Sequence, residues 1–340
     1  LELLREKKDR VAAGAPESEA YVSGQELCEQ FGVSRTAVWK AIGQLKKEGY
    51  VIEAVQNRGY RLLDQTEEVY NQADIQSRLK TKWVAHPLQF FDSIDSTNIR
   101  AKLEAEQGAE SGLLVVSDMQ SAGRGRRGRG WESPAGINIY YTLMLKPDFS
   151  SDCAPMLTLV MALAVAKGIR QTLRRDSEEA AAKVGIKWPN DIVVDGKKVC
   201  GILTEMSMEQ GYIQHIVIGV GINVRKQEFP EEIRDRAAAI DEQCGFRISR
   251  SQLIADIMEA FEEDYEIFLR THDLKGLRAS YAELLVNQDR EVCVLDPKGE
   301  YRGIARGIND QGELLVERQD GTVEEVYAGE VSVRGIYGYV

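Results

Sequence analysis

Cysteine and histidine are both scarce in this sequence. The five cysteines, Cys28, Cys153, Cys200, Cys244 and Cys293, are odd in number, widely spaced and without a CxxC pair, so they support neither a disulfide framework nor a zinc site. The three histidines, His86, His215 and His272, match no HExxH or nucleophile-base pattern, which leaves them structural or surface roles. Long apolar runs are missing too. The longest, around Met156 to Ala166, falls short of the roughly 20 residues that span a bilayer and ends in Lys167. Charges interrupt Leu1 to Val11, so that stretch does not resemble a signal peptide, and GxxxxGK[ST], the P-loop pattern, occurs nowhere. These absences predict a cytoplasmic protein without a membrane partner.

What is present is enough to fold. The chain has 340 residues, 43% apolar and 29% charged, which predicts a globular protein of more than one domain. Its net charge is −11, yet residues 1–64 balance ten Lys/Arg against ten acids. Between Ser34 and Arg61 six bases face only Glu48 and Glu53, a local +4 that makes a candidate polyanion surface.

That basic stretch has a helix-turn-helix pattern. Ser23 is placed to cap a helix with Leu27, Cys28 and Phe31 at apolar positions, and Gly32 permits the turn. Ser34 is placed to cap a second helix, in which Val38, Ile42 and Leu45 form one buried stripe. Arg35, Thr36, Lys40 and Gln44 are left to face base edges and phosphates, with the helix N-terminus at Ser34 itself attracting phosphate. Residues 50–60 read as a hairpin with Asn57, Arg58 and Gly59 near its tip, which completes a winged helix with Arg58 on the wing. The competing reading is a protein-interaction module whose basic face is merely solvated.

From about Glu68 to Leu285 strand-like and helix-like runs alternate, the pattern of a mixed α/β domain. Leu113–Ser117 and Asn138–Leu145 read as strands and Ala154–Arg174 as a central buried helix. Ile192–Glu205 and Gln214–Val224 read as paired strands, and Ser249–Arg270 as an amphipathic helix. The segment Gln120-Ser-Ala-Gly-Arg-Gly-Arg-Arg-Gly-Arg-Gly-Trp131 interleaves Arg124, Arg126, Arg127 and Arg129 with glycines, and no acid intervenes. Glycines let the backbone approach a ligand and leave the loop mobile, and guanidinium groups grip carboxylate or phosphate oxygens in pairs. An enclosed anionic ligand, an RGG-like RNA tract and a disordered tether compete, and the flanking strand patterns favour the first. Asp95-Ser-Thr-Asn98 offers hydroxyl and amide groups at the start of a helix, where the plainer role is a cap. Lys187-Trp-Pro-Asn-Asp191 combines a cation with a carboxylate. The segments 196–205 and 218–223 place Lys198 and closely spaced glycines on neighbouring strands.

Taken in order, DSTN, GRGRRGRGW, KWPND, KKVCGILTE and GVGIN, preceded by the winged helix, resemble the bifunctional biotin protein ligases that also repress the biotin operon. The resemblance covers nearly the whole chain. It implies an α/β (α+β) multidomain fold: a winged helix-turn-helix over 1–65, a class II synthetase-like mixed-sheet ligase domain over 66–285, and an SH3-like β-barrel over 286–340. It implies ATP and biotin as substrates, with Mg²⁺ on the ATP phosphates, and formation of biotinyl-5′-AMP. The biotin then passes to a lysine of a biotin carboxyl carrier protein. Ser96, Thr97, Asn98 and Gln120 would line the biotin head-group pocket. Arg124, Gly125 and Arg126 would enclose the carboxylate and adenylate phosphate. Gly123, Arg129, Trp131, Lys187, Asn190 and Asn223 join the same binding set, and Gly219 and Gly221 would let biotin approach the sheet. Asp191, Lys198 and Arg126 would carry the chemistry. Residues 328–334 resemble the family's closing segment, with Arg334 approaching ATP and Tyr327 where a Trp sometimes stands. Operator DNA and a homodimer promoted by biotinyl-5′-AMP are the remaining partners. A lipoate ligase, or a ligand-sensing repressor without catalysis, are the alternatives.

Overall fold

Helix α1 (Glu2–Ala12) precedes two helices, α2 (Gly24–Phe31) and α3 (Arg35–Lys47), each started by the expected serine. Ser23 Oγ accepts the Glu26 N–H at 3.0 Å and Ser34 Oγ accepts the Ala37 N–H at 3.3 Å. Gly32, at φ 63°, turns the chain between them in a conformation that favours glycine. Strands β1 (Ile52–Val55) and β2 (Gly59–Leu62) pair antiparallel as the wing, and the short helix α4 (Gln72–Gln76) follows. Leu4, Val22, Leu27, Val38, Ile42 and Ile52 form the core of this winged helix. Phe31 departs from its expected apolar position. It is 58% exposed, because Gly32 ends the helix there and the left-handed turn carries the chain away from the core.

The computed structural model describes residues 1–64, 68–295 and 299–327, and the backbone of 332–335. Two units emerge, Leu1–Arg78 and Leu79–Val340. In the first, α4 is tied to α1, since the buried Asp74 carboxylate pairs with both Arg5 and Arg78.

The second unit is built on a seven-stranded mixed sheet. In chain order it contributes β3 (Leu88–Phe91), α5 (Thr97–Glu106), β4 (Leu114–Ser117), β5 (Ile139–Leu145), α6 (Met156–Arg174) and α7 (Glu178–Ala182). There follow β6 (Val184–Lys187), β7 (Asp191–Val194), β8 (Lys197–Glu209), β9 (Tyr212–Ile222), α8 (Ile240–Cys244), α9 (Arg250–Thr271) and α10 (Arg278–Leu284). The spatial order is β3-β4-β5-β9-β8-β7-β6, antiparallel except for β3 with β4. The expected single strand Ile192–Glu205 is two strands, because Asp195 and Gly196, at φ 50° and 74°, make a tight turn between β7 and β8.

Alternation along β5 separates the two faces of the sheet. Thr142 hydrogen-bonds Asn98 of α5, whereas Tyr141 reaches Met161 of α6. Helix α6 packs against α9, and a Cβ on Gly168 would sit 2.5 Å from Ile257, so glycine sets the close approach. The apolar helical stretch Ser151–Arg174 is long and apolar enough to cross a membrane, but most of it is buried in this core.

Strands β10 (Glu291–Leu295), β11 (Tyr301–Ile308), β12 (Leu314–Glu317), β13 (Val323–Val326) and β14 (Ser332–Gly335) form an antiparallel sheet of order β13-β12-β11-β10-β14. It is fastened to the rest of the second unit: Trp188 Nε1 donates to Gly312 O at 2.9 Å and Leu274 N, between α9 and α10, to Asp310 O at 2.8 Å. The expected closing segment falls largely outside the described residues, which exclude 328–331 and the Arg334 side chain.

Candidate functional site

On the α5 face of the sheet the side chains shrink to glycine where β5, β9 and β8 lie side by side. Thr142 pairs with Gly219, and Gly221 with Gly201. A Cβ on Gly219 would lie 2.1 Å from Asn98 Oδ1, and one on Gly221 would lie 2.5 Å from Trp131 Nε1. The space above these two glycines therefore holds Asn98 and the Trp131 indole, a different reason for glycine from direct approach by a ligand.

The start of α5 is a polar cluster held from several sides. Ser96 is the helix cap by position, but its side chain makes no capping hydrogen bond. Gln120 Oε1 accepts from Thr97 N at 2.9 Å and Thr97 Oγ1 at 3.1 Å, and Gln120 Nε2 donates to Ser133 Oγ at 3.0 Å. Asn98 Nδ2 donates to Glu205 at 2.7 Å, and Lys102 Nζ donates to the other Glu205 oxygen at 2.7 Å. Burial alone would raise the Glu205 pKa, but the bonds from Asn98 and Lys102 and the nearby Lys102 and Arg124 charges hold it below the usual value.

The arginine-glycine loop folds back on itself. Arg124 bridges Gly130, Gly125 N donates to Arg129 O at 2.8 Å, and Trp131 N donates to Gly123 O at 3.0 Å. Arg126 is turned inward, where Nη1 donates to Asn190 Oδ1 at 2.7 Å. Asn190 in turn donates to Ile202 O at 3.2 Å, so the KWPND turn aims this arginine. Burial, opposed by Asp191 and reinforced by Arg127, lowers the Arg126 pKa, yet a guanidinium stays protonated, and a half-buried cation gains most from an anion. Lys198 Nζ lies 2.5 Å from Asp191 Oδ1 and above the Trp131 ring, 5.5 Å from its centroid. Trp131 Nε1 is buried and makes no hydrogen bond.

These groups converge on one cavity of about 800 Å³, within the usual range for small-molecule sites. Its lining includes Ser96, Thr97, Asn98, Gln120, Gly123, Arg124, Gly125, Arg126, Arg129, Trp131, Asn190, Asp191, Lys198, Gly219, Gly221 and Asn223. Of the expected set, Lys187 is not in the lining: it is buried at the end of β6. Sequence reasoning missed Gln227–Pro230 with Ile233, Arg236 and Ala237, a stretch that carries no motif. It also missed Thr142, Ser133 and Glu205, which act by positioning others; Glu205 closes a quoted motif and was the one within reach. The lining counts six Arg/Lys against three Asp/Glu, a positive site on a chain of net charge −11, and it suits an anionic ligand.

In the first unit Ser34, Arg35, Thr36, Lys40, Gln44 and Arg58 are all exposed. Arg35 reaches Gln25 at 3.2 Å, and Arg58 lies over the Tyr21 ring, 4.2 Å from its centroid, so the wing arginine is pre-placed.

Residues 90–223 match the Biotin/lipoate A/B protein ligase family, 17–61 an HTH domain and 289–334 the Biotin protein ligase C terminal domain. The chain is 37% identical over 331 residues to the bifunctional ligase/repressor BirA of Bacillus spizizenii, covering 96% of this chain and 98% of that one. It is 30% identical to the biotin–[acetyl-CoA-carboxylase] ligase of Paracoccus denitrificans, over 69% of this chain and 98% of that one. Among solved structures, the biotin protein ligase from Aquifex aeolicus in complex with biotin and ATP matches with a TM-score of 0.61 and 28% identity, covering 73% of this chain and 98% of that one. With the helix-turn-helix, the ligase sheet and the C-terminal domain in the order of these relatives, this chain belongs to the bifunctional ligase/repressor family of biotin protein ligases.

Proposed function

We propose that the protein activates biotin with ATP to biotinyl-5′-AMP, transfers the biotin to a lysine of a biotin carboxyl carrier protein, and represses biotin genes through its helix-turn-helix. The observation that carries this reading is the cationic cavity in which the Asn98 cluster, Arg126 and the Lys198–Asp191 pair meet. Ser96, Thr97, Asn98 and Gln120 would hold the uncharged head group. Arg124, Arg126 and Lys198 would offset repulsion as the biotin carboxylate attacks the α-phosphorus and pyrophosphate leaves. Mg²⁺ would arrive on the ATP phosphates; among the described residues no group of three His, Cys, Asp or Glu is placed to hold an ion. In the second step the acceptor amine attacks the acyl carbon and AMP leaves. An ordinary lysine, with a pKa near 10.4, must first lose its proton, and Asp191 is assigned to orient or accept it.

The same reading assigns residues 1–65 to DNA binding, 66–285 to catalysis and 286–340 to an SH3-like barrel, in a cytoplasmic protein. Ser34, Arg35, Thr36, Lys40, Gln44 and Arg58 would face operator DNA. Biotinyl-5′-AMP would favour a homodimer through the ligase domains. Support for that comes from β8: its pairing with β7 stops at Gly201, and beyond it Met206 and Met208 are exposed. Transfer of labelled biotin to a carrier domain is the test. Transfer of lipoate in its place would move the assignment to lipoate ligation, and no transfer with intact biotin binding would leave a sensing repressor.

A further inference from the structure

We infer that Trp39 is the apolar base-reading anchor of the N-terminal unit, its indole packing on the C5-methyl group of thymine in the major groove of duplex DNA. The inference rests on the DNA-binding reading above and deepens it by naming what is read. Trp39 lies in α3 and is 68% exposed. Helix geometry keeps it so: the buried stripe of α3 is Val38 and Ile42, with Leu45 partly buried beside it, and Trp39 stands about 100° round from Val38. Water therefore meets a ring that a purely structural helix would carry as a polar residue.

Its neighbours identify the partner. Arg35 is one turn before Trp39, Lys40 follows it, Lys46 and Lys47 end the helix, and no acid interrupts Arg35–Lys47. One turn beyond, a Cβ on Gly43 would meet nothing within 4 Å, so the surface beside the indole is open. Protein interfaces are depleted in lysine, whereas a lysine-rich helix with an exposed N-terminal turn suits a polyanion. In the major groove the hydrogen-bonding edges suit Thr36 and Lys40, and the apolar group that base pairs offer there is the thymine methyl. An indole one turn into a recognition helix is in the part that contacts bases.

Duplexes selected from a random pool by the full chain, with ATP and biotin present, are the probe. Each thymine is replaced in turn by deoxyuridine, which removes only the methyl group. Wild-type affinity is expected to fall about tenfold at one position of each half-site, the size of one lost base contact. Trp39→Ala should lose about as much on the thymine duplex and nothing further on the deoxyuridine duplex, while Trp39→Phe keeps the methyl sensitivity. Lys40→Ala should weaken binding and leave that sensitivity intact. Wild-type binding indifferent to every deoxyuridine, or losses from Trp39→Ala and deoxyuridine that simply add, would overturn the inference while the DNA interface stands. If Arg35→Ala and Lys40→Ala both bind as well as wild type, the DNA reading itself falls. Wild-type indifference to deoxyuridine overturns the inference even if Trp39→Ala folds poorly, and Trp39→Gln, a polar residue suited to an exposed helix position, then takes its place in the cycle.

Discussion

At Asp191 and Lys198 two opposite charges sit 2.5 Å apart on adjacent strands, within a cavity that already holds an excess of cations. A purely structural ion pair would not need that setting. Asp191→Asn keeps the shape and removes the base, so biotin binding should persist while transfer from preformed biotinyl-5′-AMP slows by at least about 10²-fold in single-turnover assays. Unaltered transfer would remove Asp191 from the chemistry. Arg126 is aimed at the same cavity by the Asn190 amide, whose oxygen accepts from Nη1, and a guanidinium placed there suits a phosphate. Arg126→Ala should release the adenylate roughly 10- to 150-fold faster, the equivalent of about 1.5–3 kcal/mol for one charge-assisted bond. Stopped-flow release of the intermediate measures it.

Among the elements, α9 does more than pack on α6. The Glu262 carboxylate accepts the backbone N–H groups of Lys82, Trp83 and Val84 at 2.9–3.1 Å, which anchors the chain just before β3. Burial acts to raise its pKa, but the three N–H donors and the Lys82 charge outweigh it, so the folded value lies below the ordinary 4.5. A depressed carboxylate contributes stability that is whole above pH 4.5 and is lost as pH falls through the folded value. Glu262→Gln should accordingly lower the melting temperature at neutral pH and flatten its decline between pH 4.5 and more acid conditions. Parallel melting curves for the two proteins across that window would contradict the assignment. The anchoring carboxylate and its three donors are some 180 residues apart in the chain, which is why periodicity alone places α9 correctly and says nothing of Glu262.

For the whole molecule, the proposed repression requires that one ligand site and one DNA surface influence each other. Linkage demands reciprocity: if biotinyl-5′-AMP strengthens dimerisation, dimerisation strengthens adenylate binding by the same factor, typically worth about 1–3 kcal/mol. The net +4 of Ser34–Arg61 is modest for a monomer, so two copies on two half-sites are expected to bind far better than one. Sedimentation and operator binding, with ATP and biotin present or absent, should shift together. A dimerisation constant and a DNA affinity both indifferent to the adenylate would leave a ligase with an unconnected DNA module.

Local chemistry was enough to locate most elements. Ser23, Gly32 and Ser34 act through neighbours within four residues, so the helix-turn-helix was readable before any fold was known. The same holds for α6 and α9, whose apolar patterns are long, and for the arginine-glycine loop, whose composition together with the strand patterns on either side favours an enclosed anion. Tertiary structure decided what those elements face. It exposed Phe31, split Ile192–Glu205 at Asp195-Gly196, and gave the space over Gly219 and Gly221 to Asn98 and Trp131. It paired Arg126 with Asn190 and Asn98 with Glu205 across 64 and 107 positions of sequence. It also brought Gln227–Pro230 and Ile233 to the cavity wall. The physical reason is range: capping and periodicity act over one or two helical turns, whereas strand register and side-chain contact depend on residues that only the folded sheet makes neighbours.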